Sequence, residues 1–349
     1  MTAAVELLPP AEATPDSERW HELRRAGITA SEIAAVLGIS PWQSAFGLYW
    51  AKANGWRTDD NEIMSTGRHL EDAIADWWMA EQDPLENLVA ARAGLYAHPD
   101  RPYQLATPDR LIHEVCPCCS DGRCSCGLYG NCSDCRNTGL GGPAHALLEC
   151  KWVAYSWDGW GEPGTDAVPV YYRAQCLWQL DVLGVDEVHV AALGPGGFRA
   201  YGPIRRDEKD LRVMRAAGAA FHARLQAGDP PDIDGHTATV AALKKLHPSV
   251  GDGPVEVPVV LAEGYRRARA LRKAADGHVD RYEARLRAAL GDTYARAECG
   301  GRLVASRSVY DTARIDVTAL RKDLPEVAEQ YTAKSTTDRL NPGRADSYA

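Results

Sequence analysis

The sequence predicts an α/β fold of the α+β type, in which helices flank a central mixed sheet. Residues 19–81 have the apolar spacing of helices, whereas strand-like runs begin at residue 88. A helical stretch at 169–184 separates two of these strands. Because a helix between two strands allows them to pair in parallel, while the other connections are short, the order implies a mixed sheet.

Three helices are predicted before residue 55. The first contains Trp20 and Leu23, and the second starts with Thr29 or Ser31 as its cap. The third has Pro41 in its first turn. A DNA-reading helix–turn–helix is one interpretation of the first two helices, but a small helical lobe packed on a larger domain is the simpler one.

The helix predicted at 66–81 is amphipathic. Its apolar stripe is formed by Leu70, Ile74, Trp77 and Trp78. Glu71 lies at the edge of this stripe, where a glutamate is usually only solvated.

Strands and helices are then predicted in the following order. The strands are LVAARAGLYAHPD, YQLATPDRLIHE, HALLECKWV, EVHVAALG and, after a GPGG turn, FRAYGPI. The helix VYYRAQCLWQLDVLG precedes the fourth of these strands.

The rest of the chain is predicted to be mainly helical. A long Arg- and Ala-rich stretch is expected to form a helical hairpin near Gly277, and Pro325 is expected to break a later helix. The predicted organisation is a disordered tail (1–18), a core (19–226) with a cysteine-rich insertion (113–145), a linker with a short helix (227–254) and a helical C-terminal region (255–349).

Composition narrows the class of protein. The 349 residues carry a formal net charge of −9, which argues against a protein that coats DNA non-specifically. The sequence contains no apolar run long enough to cross a bilayer and no secretory leader pattern, so we expect no membrane partner and a cytoplasmic location.

The segment LLECKW contains the candidate catalytic residues. Glu149 and Lys151 are two apart in a predicted strand, so their side chains share one face. If the preceding strand pairs with this one as a hairpin, Asp109 lies near Glu149. Two carboxylates suit Mg²⁺ or Mn²⁺. A lysine beside them could position or deprotonate a metal-bound water, or stabilise the charge that develops on a phosphate. Taken alone, the pattern also fits a simple ion pair.

Five blocks in order resemble the lambda-exonuclease/YqaJ family of phage-type recombination nucleases, within the PD-(D/E)xK superfamily. The blocks are RWHELRRAGITASEIAAVLGIS, STGRHLEDAI, ATPDRL, LECK and PVYYRAQCLWQLDVLG. The resemblance covers roughly residues 19–205 and implies a PD-(D/E)xK nuclease core. One departure is Arg110, which stands where the family's PDG motif has glycine.

The resemblance implies a role for each matching residue. Asp109 and Glu149 would bind the metal, assisted by the Cys150 carbonyl, and Lys151 would be the catalytic lysine. Glu71 matches the acid of the family's helix, and Gln175 matches a glutamine on the helix behind the active site. Arg24 and Ser31 match residues that handle the terminal phosphate; a surface arginine and a helix cap are their alternatives.

The function implied is a Mg²⁺-dependent exonuclease that degrades duplex DNA ends from 5′ to 3′. It would leave 3′ tails for a single-strand annealing recombinase, in the host cytoplasm if the protein is phage-encoded. A homo-oligomeric ring is plausible by analogy. A DNA endonuclease on the same core and a non-catalytic DNA- or protein-binding module are the alternatives.

The insertion contains seven of the ten cysteines. Cys116, Cys119, Cys132 and Cys135 form two Cys-x-x-Cys pairs with the spacing of a structural zinc site. Cys118, Cys124 and Cys126 are in excess and could form a second site or share ligands, with His113 and His145 at the edges. Disulfides and an iron–sulfur cluster are the alternatives.

Overall fold

The computed structural model describes residues 3–57, 60–82, 87–116, 138–333, 337–338 and 340–341. The chain divides into two compact units, Met1–Pro248 and Ser249–Ala349. No helix in the described ranges is both long enough and apolar enough to cross a membrane.

Strands and helices are numbered in chain order. The strands are β1 (Val5–Leu8), β2 (Ile28–Thr29), β3 (Leu88–Arg92), β4 (Leu95–His98), β5 (Arg101–Ala106), β6 (Arg110–Glu114), β7 (Ala146–Trp152), β8 (Glu187–Gly194), β9 (Gly197–Arg205), β10 (Arg296–Cys299) and β11 (Arg302–Ser306). The helices are α1 (Glu18–Ala26), α2 (Ile33–Val36), α3 (Ala45–Asn54), α4 (Glu62–Ala80), α5 (Val170–Leu183), α6 (Glu208–Ala227), α7 (Thr237–Leu246), α8 (Val259–Leu290), α9 (Val317–Asp323) and α10 (Pro325–Gln330).

A five-stranded mixed sheet is the centre of the first unit, in the order β3-β6-β7-β8-β9. Strands β6 and β7 pair antiparallel, with Arg110 opposite Leu148. Strand β7 pairs parallel with β8 through the α5 crossover, which places Glu149 opposite Val190. The predicted mixed sheet is therefore confirmed, and β6 and β7 form the pairing that would bring Asp109 near Glu149.

Both faces of β7 are covered. Leu148 and Cys150 pack on the α4 side with Ile74 and Trp78. On the opposite face, Leu147 packs in the cluster that contains residues of α5. Because both faces are buried, the strand is a nearly continuous apolar run, and Glu149 and Lys151 interrupt it on the α5 side.

Two runs that were each predicted to form one strand form two strands in different sheets. LVAARAGLYAHPD forms β3 and β4, and YQLATPDRLIHE forms β5 and β6; β4 and β5 belong to a second sheet of order β1-β4-β5-β2. One break falls at Gly94, where a Cβ atom would lie 2.1 Å from the Leu8 carbonyl oxygen. The other falls at Thr107–Asp109, where Pro108 has no N–H to donate to a ladder.

The predicted disordered tail, 1–18, is wrong at its centre. Strand β1 pairs antiparallel with β4, and Leu8 is buried. The apolar run VELL gains a core position only through this long-range pairing, so its own sequence does not reveal the strand.

The N-terminal helices form as predicted, but their starts differ. Neither Thr29 nor Ser31 caps the second helix, since the cap position of α2 is Glu32. The third helix starts after Ser44, whose hydroxyl accepts a hydrogen bond from Gly47, and Pro41 lies outside it.

One of the two helix interruptions predicted in the second unit is present. Helix α8 runs without interruption through Gly277, so the predicted hairpin there is wrong. The predicted break at Pro325 is confirmed, because α9 ends at Asp323 and α10 begins at Pro325. Strands β10 and β11 pair as an antiparallel hairpin.

Candidate active site

Asp109 is held against β7 by a hydrogen bond to the backbone. Its Oδ2 atom accepts the Cys150 N–H at 2.6 Å. Asp109 immediately precedes β6, whose first residue lies opposite Leu148, so the strand register brings this carboxylate to the Glu149–Lys151 segment. The structure thus brings Asp109, Glu149 and Lys151 together.

The Glu149 carboxylate is buried, and both of its oxygens accept hydrogen bonds. Lys151 Nζ and Gln175 Nε2 donate to Oε1, and Gln179 Nε2 donates to Oε2 at 2.6 Å. Gln175 and Gln179 are four apart on α5, so both amides lie on the same side of the helix. Gln179 was missing from the predicted site; the repeated glutamine at i, i+4 is the signal that could have found it.

Lys151 is a buried cation among carboxylates. Burial acts to lower the pKa of Lys151, but the Glu149 and Asp109 carboxylates outweigh it and hold this pKa above its ordinary value. The Nζ atom also donates to Gln175 Oε1 at 3.2 Å and lies 4.7 Å from the centre of the Tyr172 ring. The neighbouring carboxylates therefore favour the charged form of this side chain.

The pKa of Asp109 is also raised, and for a carboxyl group this disfavours the charged form. Burial and the nearby Glu149 and Glu71 carboxylates raise the pKa of Asp109 well above its ordinary value. Negative charge is thus concentrated at this end of β7, and a cation bound there would relieve the repulsion.

Arg110 connects Glu71 to the site. Its guanidinium is almost fully buried and donates to Glu71 Oε1 at 2.9 Å, to the Asp109 carbonyl at 2.6 Å and to Asp72. The glycine of the PDG motif could make none of these side-chain contacts. The arginine therefore links the helical acid of α4 to the turn that carries Asp109.

The donor set fits a hard divalent cation. Two carboxylates, Asp109 and Glu149, flank the Cys150 peptide, and oxygen ligands of this kind suit Mg²⁺ or Mn²⁺. Within the described ranges, no group of three or more His, Cys, Asp and Glu side chains is arranged to hold a metal. Any ligation by this set therefore depends on two side chains and a backbone carbonyl.

Arg24 and Ser31 lie together in a separate cluster. Arg24 Nη2 donates to the Ser31 hydroxyl at 3.3 Å, and the guanidinium lies 4.3 Å from the centre of the Trp20 ring. Helix α2 is a single turn with Glu32 at its N-cap position, so Ser31 precedes only four helical residues, too few for a substantial helix dipole. An anion here would depend on side chains alone.

A buried ion pair between Lys52 and Glu32 packs against this cluster. Lys52 Nζ contacts Glu32 Oε2 and the Arg24 carbonyl oxygen, both at 2.8 Å. Burial acts to raise the pKa of Glu32, but Lys52 and Arg24 outweigh it and hold this pKa below its ordinary value. Lys52 therefore positions the end of α1 rather than facing a ligand.

Six cysteines of the predicted zinc site lie outside the described residues: Cys118, Cys119, Cys124, Cys126, Cys132 and Cys135. Cys116 is described and buried. His113 Nδ1 lies 2.9 Å from the Gly142 carbonyl oxygen, and its Nε2 is buried without a hydrogen-bond partner in the described part of the chain. A histidine that hydrogen-bonds a backbone carbonyl through one ring nitrogen can coordinate a metal through the other.

Residues 19–186 match the model of the YqaJ-like viral recombinase domain. The uncharacterized protein YqaJ of Bacillus subtilis (strain 168) is 24% identical over 236 residues, which is 66% of this chain and 63% of that protein. The match therefore spans less than two thirds of that relative's length. The resemblance to the YqaJ family inferred from the five blocks is confirmed.

Two solved structures are also similar. An alkaline exonuclease (LHK-Exo) from Laribacter hongkongensis is 19% identical, with a TM-score of 0.42 over 61% of this chain and 94% of that one. LHK-Exo in complex with dAMP is 18% identical, with a TM-score of 0.43 over 66% and 97% of the two chains.

Proposed function

We propose that this chain, which carries a YqaJ-like viral recombinase domain in residues 19–186, is a Mg²⁺-dependent deoxyribonuclease. It acts as an exonuclease on the ends of linear duplex DNA and leaves 3′ single-stranded tails for homologous recombination. The same proposal includes an annealing recombinase as the partner that takes these tails, and a homo-oligomeric state. It also includes a cytoplasmic location, in the host's cytoplasm if the gene is viral.

The observation that carries this proposal is the arrangement around Glu149. One buried carboxylate contacts a charged lysine and two glutamines, and a second carboxylate is fixed one peptide away. Burying two acids and a cation costs free energy that pairing only partly offsets, and buried titratable groups of this kind cluster at functional sites. A phosphodiester and a divalent cation satisfy both signs of charge.

Each side chain has a role in phosphodiester hydrolysis. Asp109, Glu149 and the Cys150 carbonyl would hold the metal, which supplies positive charge and lowers the pKa of water when bound. Lys151 stabilises the negative charge that develops on the phosphate. Gln175 orients Lys151 and Glu149 together, and Gln179 fixes the second oxygen of Glu149.

The test compares linear duplex DNA with covalently closed circular DNA of the same sequence, in Mg²⁺ and in EDTA. The exonuclease proposal predicts Mg²⁺-dependent loss of the linear form and survival of the circle. Cleavage of the circle would establish the endonuclease alternative instead. Loss of neither form, by protein that binds DNA, would favour a non-catalytic binding module.

A pair of variants ties the activity to this site. Glu149→Gln keeps the shape of the side chain and should abolish degradation. Glu18→Gln is the matched control, because Glu18 is an exposed glutamate paired with Arg57. Equal activity of both variants would refute the assignment of the site.

A further inference from the structure

Three aromatic side chains form a surface that the catalytic roles above do not use. We call Trp42, Tyr171 and Tyr172 the aromatic platform. The Trp42 ring lies edge-on to Tyr171, with centroids 4.8 Å apart, and tilted to Tyr172 at 6.0 Å. Trp42 is 62% exposed, so most of this large apolar side chain faces solvent.

The platform begins at the catalytic lysine. Lys151 Nζ lies 4.7 Å from the centre of the Tyr172 ring, and Tyr171 packs against Tyr172 with centroids 4.6 Å apart. The Tyr172 ring contacts both the Lys151 ammonium, at 4.7 Å, and the Trp42 indole, with ring centroids 6.0 Å apart. A strand with a phosphate at Lys151 would therefore have its neighbouring bases within reach of Trp42.

The turn that carries Trp42 is fixed in place. The Ser40 hydroxyl accepts hydrogen bonds from the Trp42 and Gln43 N–H groups, both at 3.2 Å. His236 Nε2 lies 3.2 Å from the Ser40 carbonyl oxygen, and the Thr239 and Ser44 hydroxyl oxygens lie 2.7 Å apart. Because the backbone of the turn is fixed and the Trp42 ring packs on Tyr171, less conformational entropy is lost when a flat ligand stacks on the indole.

We propose that the aromatic platform stacks an unpaired nucleobase of the DNA strand whose phosphate lies at Lys151. The inference rests on the proposed nuclease function and assigns a base-binding subsite to it. Every base offers a π face, so aromatic stacking holds a single strand without selecting its sequence. The platform would thus keep the end of the duplex open beside the catalytic group.

The test measures binding rather than cleavage, with Ca²⁺ in place of Mg²⁺. The probe is a fluorescent duplex with three unpaired nucleotides at one end, in normal form and with the three sites abasic. The abasic probe keeps every phosphate and lacks only the bases. Trp42→Ala should weaken binding of the normal probe about 5- to 100-fold and leave the abasic probe within about twofold.

Two further variants make the comparison specific. Trp42→Phe should retain part of the preference for the normal probe. Trp77→Ala removes another exposed indole, which is stacked on Phe198, and should leave the binding of both probes unchanged. Equal weakening of both probes by Trp42→Ala, an unchanged preference, or no measurable binding by wild type would overturn the platform.

Failure of the platform proposal can be distinguished from failure of the proposed nuclease function. If wild type leaves linear DNA intact in Mg²⁺, the nuclease proposal fails whatever the binding data show. If wild type degrades linear DNA but Trp42→Ala keeps the full preference for unpaired bases, the nuclease proposal stands and the platform is refuted.

Discussion

Asp109 and Cys150 are joined by a 2.6 Å hydrogen bond from a backbone N–H to a carboxylate, across 41 positions of sequence. The bond fixes one acid of the candidate site to the strand that carries the other acid. Both flank the cysteine-rich insertion in sequence, so the register of β6 on β7 determines whether the site forms.

Asp109→Asn should abolish DNA degradation, lowering the rate at least about 100-fold, and yet stabilise the metal-free protein. Because burial and neighbouring carboxylates raise the pKa of Asp109 in the folded state, ionising it costs stability as the pH rises through that pKa. The stability gain of the variant should therefore be present at pH 8 in EDTA and shrink as the pH falls. Urea unfolding at several pH values measures it. A variant less stable than wild type at pH 8 would contradict the repulsion.

Arg24→Ala should reduce discrimination between 5′-phosphate and 5′-hydroxyl duplex ends. Arg24 and Ser31 present a guanidinium and a hydroxyl 3.3 Å apart, which is a set of donors suited to a terminal phosphate. The measurement is the ratio of initial rates on the two substrates. Arg19→Ala, an exposed arginine on the same helix paired with Glu22, is the control. If wild type has no preference, or Arg24→Ala keeps all of it, Arg24 has no role in choosing the end.

Purified protein should contain at least one zinc per chain. Structural zinc contributes directly to folding, so Cys132→Ser should lower both the zinc content and the melting temperature. Cys299→Ser is the control, because Cys299 is exposed in the other unit. Elemental analysis that finds iron, or no metal in reduced protein, would refute the zinc proposal.

Asp181→Ala should lower the free energy of unfolding by about 3–5 kcal/mol. Its buried carboxylate contacts Arg101, Arg206 and Arg215. Burial acts to raise the pKa of Asp181, but hydrogen bonds from Arg215 and Gln104 and the charge of Arg101 outweigh it and hold this pKa well below its ordinary value. The contribution is complete above the unfolded-state pKa of aspartate and is lost as the pH falls through the folded-state pKa.

The exposed pair of Asp60 and Arg68 gives the matched comparison. By the same urea measurement at neutral pH, Asp60→Ala should lower the free energy of unfolding far less than Asp181→Ala does, because solvent screens an exposed ion pair. Equal costs for the two substitutions would show that burial of the Asp181 cluster adds nothing to stability.

Local sequence patterns predicted the parts of the core that depend on nearest neighbours. The alternation in LLECKW placed Glu149 and Lys151 on one face, whereas Gln175 was predicted from the resemblance to the family's helix. The predicted roles of these residues stay predictions until activity is measured.

Long-range packing explains what the sequence did not reveal. Gly94 ends β3 because β1 approaches it, and β1 is visible only through its pairing with β4. Likewise, Arg110 follows Asp109 directly, yet its contacts with Glu71 and Asp72 depend on how α4 packs over the sheet. Such contacts join segments that are distant in sequence, so periodicity does not report them.

The central claim is that Lys151 and its carboxylates form a nuclease site. The most direct test is the initial rate of linear duplex degradation in Mg²⁺ by wild type, Lys151→Met and the exposed-lysine control Lys209→Met, at matched melting temperatures. We predict that Lys151→Met loses at least about 100-fold in rate while Lys209→Met keeps the wild-type rate. A folded Lys151→Met protein that degrades DNA as fast as wild type would contradict the account.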